Sequence, residues 1–238
     1  MDRRLLASTS FLLALACSGP ANESLRSAPD AVWQSTFEVA PSDLVSTGAN
    51  PWFVLVPGYE CKYADRDGEQ ELVVRVLDET ETVDGVATRV VEERETDKGR
   101  VVEVSRNYFA LSRTTGDVYY FGEDVDIYRD GKVTDHSGAW RSGVDGARFG
   151  LMVPGRAVVG QKGYQEFAPL RALDRFTITS ASARVETPAG TFTDCLEVEE
   201  TTPLEPGVRE FKRYAPGVGL VQDDELLLVS HTPVPVGR

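Results

Sequence analysis

Histidine, cysteine and methionine are scarce in this 238-residue chain, which holds two His, three Cys and two Met. It has no Cys-x-x-Cys pair, no Gly-x-Ser-x-Gly elbow and no Gly-rich phosphate loop. With only His136 and His231, a zinc site lacks donors. Asp135, His136 and Ser137 are adjacent, but neighbours on a strand point to opposite faces and cannot form a relay. The expectation is a chain that is not an enzyme and carries no cofactor and no metal. Basic residues are short as well: 25 Lys and Arg stand against 38 Asp and Glu, a formal charge of −13. No Lys/Arg cluster offsets it, so nucleic acid is not an expected partner.

Long apolar runs are confined to the start. Arg3 and Arg4 precede a run from Leu5 to Ala16 broken only by Ser8, Thr9 and Ser10. That is too short to span a bilayer and reads as a secretory signal peptide over residues 1–16. It closes on Leu13, Ala14, Leu15, Ala16, Cys17, which resembles the lipobox of bacterial lipoproteins. The resemblance implies acylation of Cys17, palmitate included, and a chain anchored in the cell envelope with its domain in the periplasm or outside the cell. Ser18 in place of Asp implies an outer membrane where the cell has one. Removing the signal, with its one Asp and two Arg, leaves 222 residues at −14. That is one domain with a real core.

Residues 17–48 are rich in Ser, Ala, Pro and Asn and read as the lipidated Cys and a flexible tether, with Trp33, Phe37 and Val39 as material for a short docked segment. The β domain is expected over 49–232, followed by a disordered tail over 233–238. Six turn signals, among them Asp84–Gly85, Lys98–Gly99 and Asp130–Gly131, separate runs loaded with Val, Thr, Tyr, Phe and Ile. They predict an all-β fold: a tall, curved antiparallel meander sheet, half-barrel or closed barrel, with little helix beyond the signal peptide. In the run 100–111, Val102, Val104, Tyr108 and Ala110 share one side and Glu103, Ser105 and Asn107 the other, read as buried and wet respectively. The segment 142–160 breaks the pattern with five Gly and Pro154; it is a lid or a packed connection.

Cys61 and Cys195 stand in a compartment that permits a disulfide, and the sequence leaves a bridge and two separate thiols both open. Asp65, Arg66, Asp67, Gly68 looks like a fragment of a calcium loop but lacks the later ligands, so it reads as a hairpin turn. Glu123 alternates in phase with Tyr119, Phe121, Val125 and Ile127, which puts a carboxylate on an apolar face unless a bulge at Gly122 turns it out. Pointing inward, it needs a partner or a proton, and Arg106 on the neighbouring strand is the candidate partner. Tyr119, Phe121, Glu123, Arg106, Asp145 and Glu166 are thus the candidate lining of a cavity.

Several motifs occur in order: Asn50, Pro51, Trp52, Phe53 with Pro57, Gly58; Val118 to Glu123; Gly143, Val144, Asp145, Gly146; Tyr164, Gln165, Glu166; Leu204, Glu205, Pro206, Gly207; and Tyr214 to Val221. Together they resemble a family of bacterial secreted all-β proteins and lipoproteins without an assigned activity. The last motif is loosely similar to the half-barrel lipoprotein-carrier folds. The resemblance implies a mostly β envelope protein and brings no catalytic residues. Two functions are then expected: binding of a hydrophobic or amphipathic ligand inside the curved sheet, or docking to another envelope protein through a domain whose core is filled.

Overall fold

Paired left-handed residues make the hairpins. Asp84 and Gly85, Lys98 and Gly99, and Asp130 and Gly131 all have positive φ, the conformation of two-residue turns whose twist matches that of the strands they join. The computed structural model describes residues 33–234. The signal peptide, Cys17 and the tail beyond residue 234 lie outside the described residues.

The long strands are β4 (Glu60–Ala64), β5 (Gln70–Val83), β6 (Val86–Asp97), β7 (Arg100–Ser112) and β8 (Val118–Arg129), then β14 (Arg175–Thr187), β15 (Gly190–Thr201), β16 (Glu210–Ala215), β17 (Gly219–Asp223) and β18 (Leu226–His231). Shorter strands are β1 (Leu44–Val45), β2 (Ala49–Asn50), β3 (Phe53–Val54), β9 (Lys132–Asp135), β10 (Trp140–Arg141), β11 (Arg148–Val153), β12 (Lys162–Tyr164) and β13 (Glu166–Phe167). Apart from the small β2–β3 pair, they form one antiparallel sheet in the order β12-β14-β15-β16-β17-β18-β4-β5-β6-β7-β8-β11-β13, with β1 on β7 and β9 and β10 on β8 as side branches. The sheet curls through 321°. Its two ends, β12 and β13, are separated by Gln165 alone, so a single stretch of chain pairs with β14 on one side and β11 on the other. The all-β meander is confirmed, in its nearly closed form. Among the described residues no helix is long and apolar enough to cross a membrane.

Three sequence readings change. The Gly-rich segment 142–160 contains β11, a strand of the wall, where a lid or connector was expected. Gly150 is required there because a Cβ would lie 2.3 Å from the Gln165 carbonyl. The tether ends earlier than residue 48: Phe37 packs on Tyr119 with ring centroids 5.9 Å apart, and β1 pairs with β7. Asp43 accepts hydrogen bonds from the Ser112 and Thr114 hydroxyls. Apolar Phe37, Val39 and Leu44 drive this docking over the outside of the wall. Finally, β17 and β18 form two strands where one was expected, broken at Asp224, which has φ 48°.

One end of the barrel is packed solid. The β2–β3 hairpin plugs it, with Phe53 against Phe109 at 5.0 Å and Phe109 stacked on Tyr120 at 4.7 Å. Pro51 accepts a hydrogen bond from the Gly217 N–H at 2.8 Å, so the Asn50–Phe53 motif and the motif following Tyr214 meet at this plug. Tyr59 and Tyr63 reach across β18 to donate to the carbonyls of Val218 and Leu220 at 2.6 and 2.9 Å. Burying this aromatic surface adds to the stabilisation of the closed end.

Candidate functional site: an acid-lined barrel mouth

At the opposite end the interior is polar. Register puts Glu93 across from Ser105 and Glu95 across from Glu103; on β7 the same face continues through Asn107 to Phe109 of the plugged end. Glu103, Ser105 and Asn107 are buried, at 6, 3 and 4% exposure. The side of β7 read as wet is therefore the inside of the barrel. Its apolar side, with Tyr108 and Ala110, faces outward beneath covering chain.

A bulge decides where Glu123 points. Tyr108 pairs with Gly122 but Phe109 with Tyr120, so Phe121 is an extra residue and the side-chain phase flips there. Gly122 has φ 142°, and a Cβ on it would sit 2.4 Å from the Trp140 carbonyl. As a result Tyr119 and Phe121 face outward, packed on Phe149 at 5.6 and 4.7 Å. Glu123 faces inward with Val125, across from Trp140. The bulge that the sequence reading allowed at Gly122 is present, but it turns the rings of Tyr119 and Phe121 out and Glu123 in, the reverse of the sense expected. Arg106 does not partner Glu123 either; it lies on the outer face across from Asp124 and pairs with Glu79. Asp145 is an exposed residue in ion contact with Arg171 at 3.3 Å. Of the six candidate lining residues, Glu123 and Glu166 are brought together, both buried, at 3 and 4% exposure, and close enough to Tyr120 and to each other for their charges to act on one another.

Signals scattered along the chain supply the rest of the lining. Asp174 at the start of β14, Glu200 on β15, Glu210 and Lys212 on β16, and Asp223 on β17 share the face that register carries round the sheet. Glu93 is influenced by Lys212, Asp223 and Glu200, although β18, β4 and β5 stand between in the sheet. They meet through the barrel interior. On β14 and β15 buried Phe176, Ile178, Leu196 and Val198 share this face, so alternation marks the enclosed side there but gives no sign that its acids meet those of β6 and β7. On β16 and β17 charged or polar residues fall on both sides.

Nine carboxyl groups thus surround one ammonium. Lys212 Nζ lies 3.0 Å from Glu200 Oε2 and 3.8 Å from Asp223 Oδ2. Gln165 Nε2 donates to Glu200 Oε1 at 2.6 Å. Burial alone would lower the Lys212 pKa, but Asp223 and Glu200 outweigh it and hold the ammonium charged. The acids move up. Burial, then the repulsion of neighbouring carboxylates, pushes Glu103 to about 7. Burial raises Glu93 and Glu210 to about 7 against the pull of Lys212. Glu95, Glu123 and Glu166 rise by burial first, then by the charges of Glu103 on the first two and of Asp174 on Glu166. Oε2 of Glu166, a residue 4% exposed, completes no hydrogen bond, and neither does Nε1 of its neighbour Trp140.

The mouth is open to water. Asp223 keeps 20% of its side chain exposed and Lys212 14%. Beside it, between the β4–β5 and β17–β18 turns, lies an open groove of about 630 Å³ lined by Asp65, Asp67, Asp224, Glu225 and Leu227 with Arg66 and Gln222. Among the described residues no group of three acids, His or Cys converges to hold a metal ion.

Cys61 and Cys195 are both buried free thiols. The bridge weighed from the sequence is therefore absent, and the reading of two separate thiols holds. Burial pushes both thiols up, which removes thiolate character.

Set against known proteins, the chain matches no family model, no curated protein and no solved structure.

Proposed function

We propose that this chain is a non-catalytic binding module of the bacterial cell envelope, tethered through acylated Cys17, whose barrel mouth takes up an amphipathic small molecule. The observation that carries the reading is the asymmetry of the interior. One end is closed by stacked aromatic rings, while the other is lined with carboxyl groups and stays in contact with water. Nine acids held around a single lysine leave charge and hydrogen-bonding capacity that the protein does not itself satisfy. Such convergent polar groups beside an apolar floor are what ligand sites use to orient a bound molecule. A purely hydrophobic ligand is disfavoured, because Tyr119 and Phe121 pack outside the barrel and the aromatic residues within close on one another.

The signal-like start and the lipobox resemblance support the envelope location, as does the resemblance to secreted all-β lipoproteins. A second reading, docking to another envelope protein, draws on exposed Val158 and Val159, both at 58%, and Leu170 at 81%.

The test is native mass spectrometry of the chain purified from bacterial envelopes, followed by organic extraction. A stoichiometric extra mass that leaves on extraction is expected. A bare polypeptide that also retains a protein partner through washing would favour docking instead.

A further inference from the structure

The shape of the acid distribution says what kind of ligand the mouth accepts, and this step rests on the binding reading above. We infer that the mouth takes an extended organic cation carrying several amines, of which a linear polyamine is the simplest. Three observations converge on it.

The first is charge. Among the described residues Lys212 is the one cation paired with these acids, already engaged by Glu200 and Asp223. The other cation on that side of β6, Arg89, is turned to the carbonyls of Ser46, Leu77 and Glu79, which leaves Glu95, Glu103, Glu123 and Glu166 without an ion pair. The second is spread. Glu103 and Glu123 belong to adjacent strands, yet Glu103 pairs with Ile127 and Glu123 with Asn107, an offset of four residues or about 13 Å along the strand. Acids laid out over that length do not converge on a point, in keeping with the missing metal cluster. A compact divalent ion reaches two of them at most, whereas a chain of amines separated by methylenes reaches several. The third is Glu166. Its Oε2 completes no well-formed hydrogen bond, although Asp174, Glu123 and Trp140 all stand close enough to act on the carboxyl. At this deep end of the row an ammonium would complete its bonding and offset the neighbouring acids. Trp140 lies edge-on to Tyr120 at 5.4 Å, so aromatic faces stand next to the acids. Methylenes pack on such faces, and ammonium groups are attracted to them. The acidic groove at the rim continues the row outward and offers a way in.

Isothermal titration of the purified full chain with spermidine tests this, with magnesium and calcium at the same ionic strength as controls. One spermidine per chain is expected, bound at least about tenfold more tightly than either metal ion, since several charge-assisted hydrogen bonds form at once. Glu166→Gln should weaken binding about tenfold. Should that variant fail to fold by circular dichroism, Glu103→Gln, nearer the mouth, is expected to weaken it threefold or more while staying folded. Spermidine binding no tighter than magnesium, or folded variants that bind like the parent, would overturn the inference. A co-purifying neutral or anionic amphiphile that spermidine cannot displace would overturn it while leaving the binding reading intact. Absence of both a co-purified ligand and amine binding would remove the two together.

Discussion

Glu95 and Glu103 face each other directly across the β6–β7 pair, two carboxyl groups side by side inside a barrel wall. Like charges at opposed positions of a strand pair destabilise it, and here burial compounds the repulsion. Both carboxyls are accordingly pushed up, Glu95 and Glu103 by burial first and then by neighbouring carboxylates, and a proton relieves the pair.

Stability should therefore fall as pH rises. Glu93, Glu103 and Glu210 have folded-state values of about 7, above the ordinary glutamate value near 4.3. The folded chain binds more protons than the unfolded one between those values, so stability present below pH 4 is lost progressively up to about pH 7. Each such group contributes a slope of at most about 1.4 kcal/mol per pH unit. Thermal unfolding at pH 5 and pH 8 should give the higher midpoint at pH 5, and Glu103→Gln should reduce the difference.

Gly122→Ala should be among the most damaging single changes in the wall. It places a methyl group 2.4 Å from the Trp140 carbonyl at a backbone φ of 142°. A loss of about 3 kcal/mol or more is expected from strain and the clash together, read by denaturant unfolding. Gly131→Ala, at an open turn where a Cβ meets nothing within 4 Å, should cost about 1 kcal/mol.

Replacing Lys212 with Met removes the one ammonium that, among the described residues, pairs with the interior acids, and strands Glu200 and Asp223. Breaking a buried pair in this way costs about 3–5 kcal/mol. The loss should be larger at pH 8 than at pH 5, because burial already raises Asp223 and removing the ammonium raises it further. Paired unfolding curves at the two values measure it.

Both thiols should resist modification in the folded state. Reaction with an aromatic disulfide reagent should be slow in native buffer and release two equivalents in denaturant without prior reduction, because Cys61 and Cys195 are buried and unbridged.

Turn chemistry made most of the fold legible in the sequence. Asp84–Gly85, Lys98–Gly99 and Asp130–Gly131 mark hairpins because few other residue pairs tolerate two successive positive φ angles, and the strands between them follow. What was not legible is which face each strand turns inward. On β7 the apolar side looked buried, and Tyr108 and Ala110 are buried; yet the covering comes from residues 33–48 outside the barrel, while Glu103 and Asn107 are enclosed. Local alternation separates two faces without saying which one a distant segment covers. Glu123 was singled out as an acid in phase with Tyr119 and Phe121; it is buried, but beside Val125 and Trp140 instead, because its phase depends on a single extra residue at Phe121–Gly122. Asp174, Glu200, Lys212 and Asp223 join it only through closure of the sheet, which no local pattern encodes. β11 was hidden because its close contact with Gln165 demands Gly150, and glycine reads as loop.

The most direct test of an acid-lined, ligand-accepting mouth is an NMR titration of the glutamate side-chain carboxyl carbons, in the absence and presence of spermidine. The account predicts a group of glutamates titrating near pH 7 in the free protein, with that group displaced to lower pH when the polyamine binds. Glutamates that all titrate near their ordinary value, unmoved by spermidine, would contradict it.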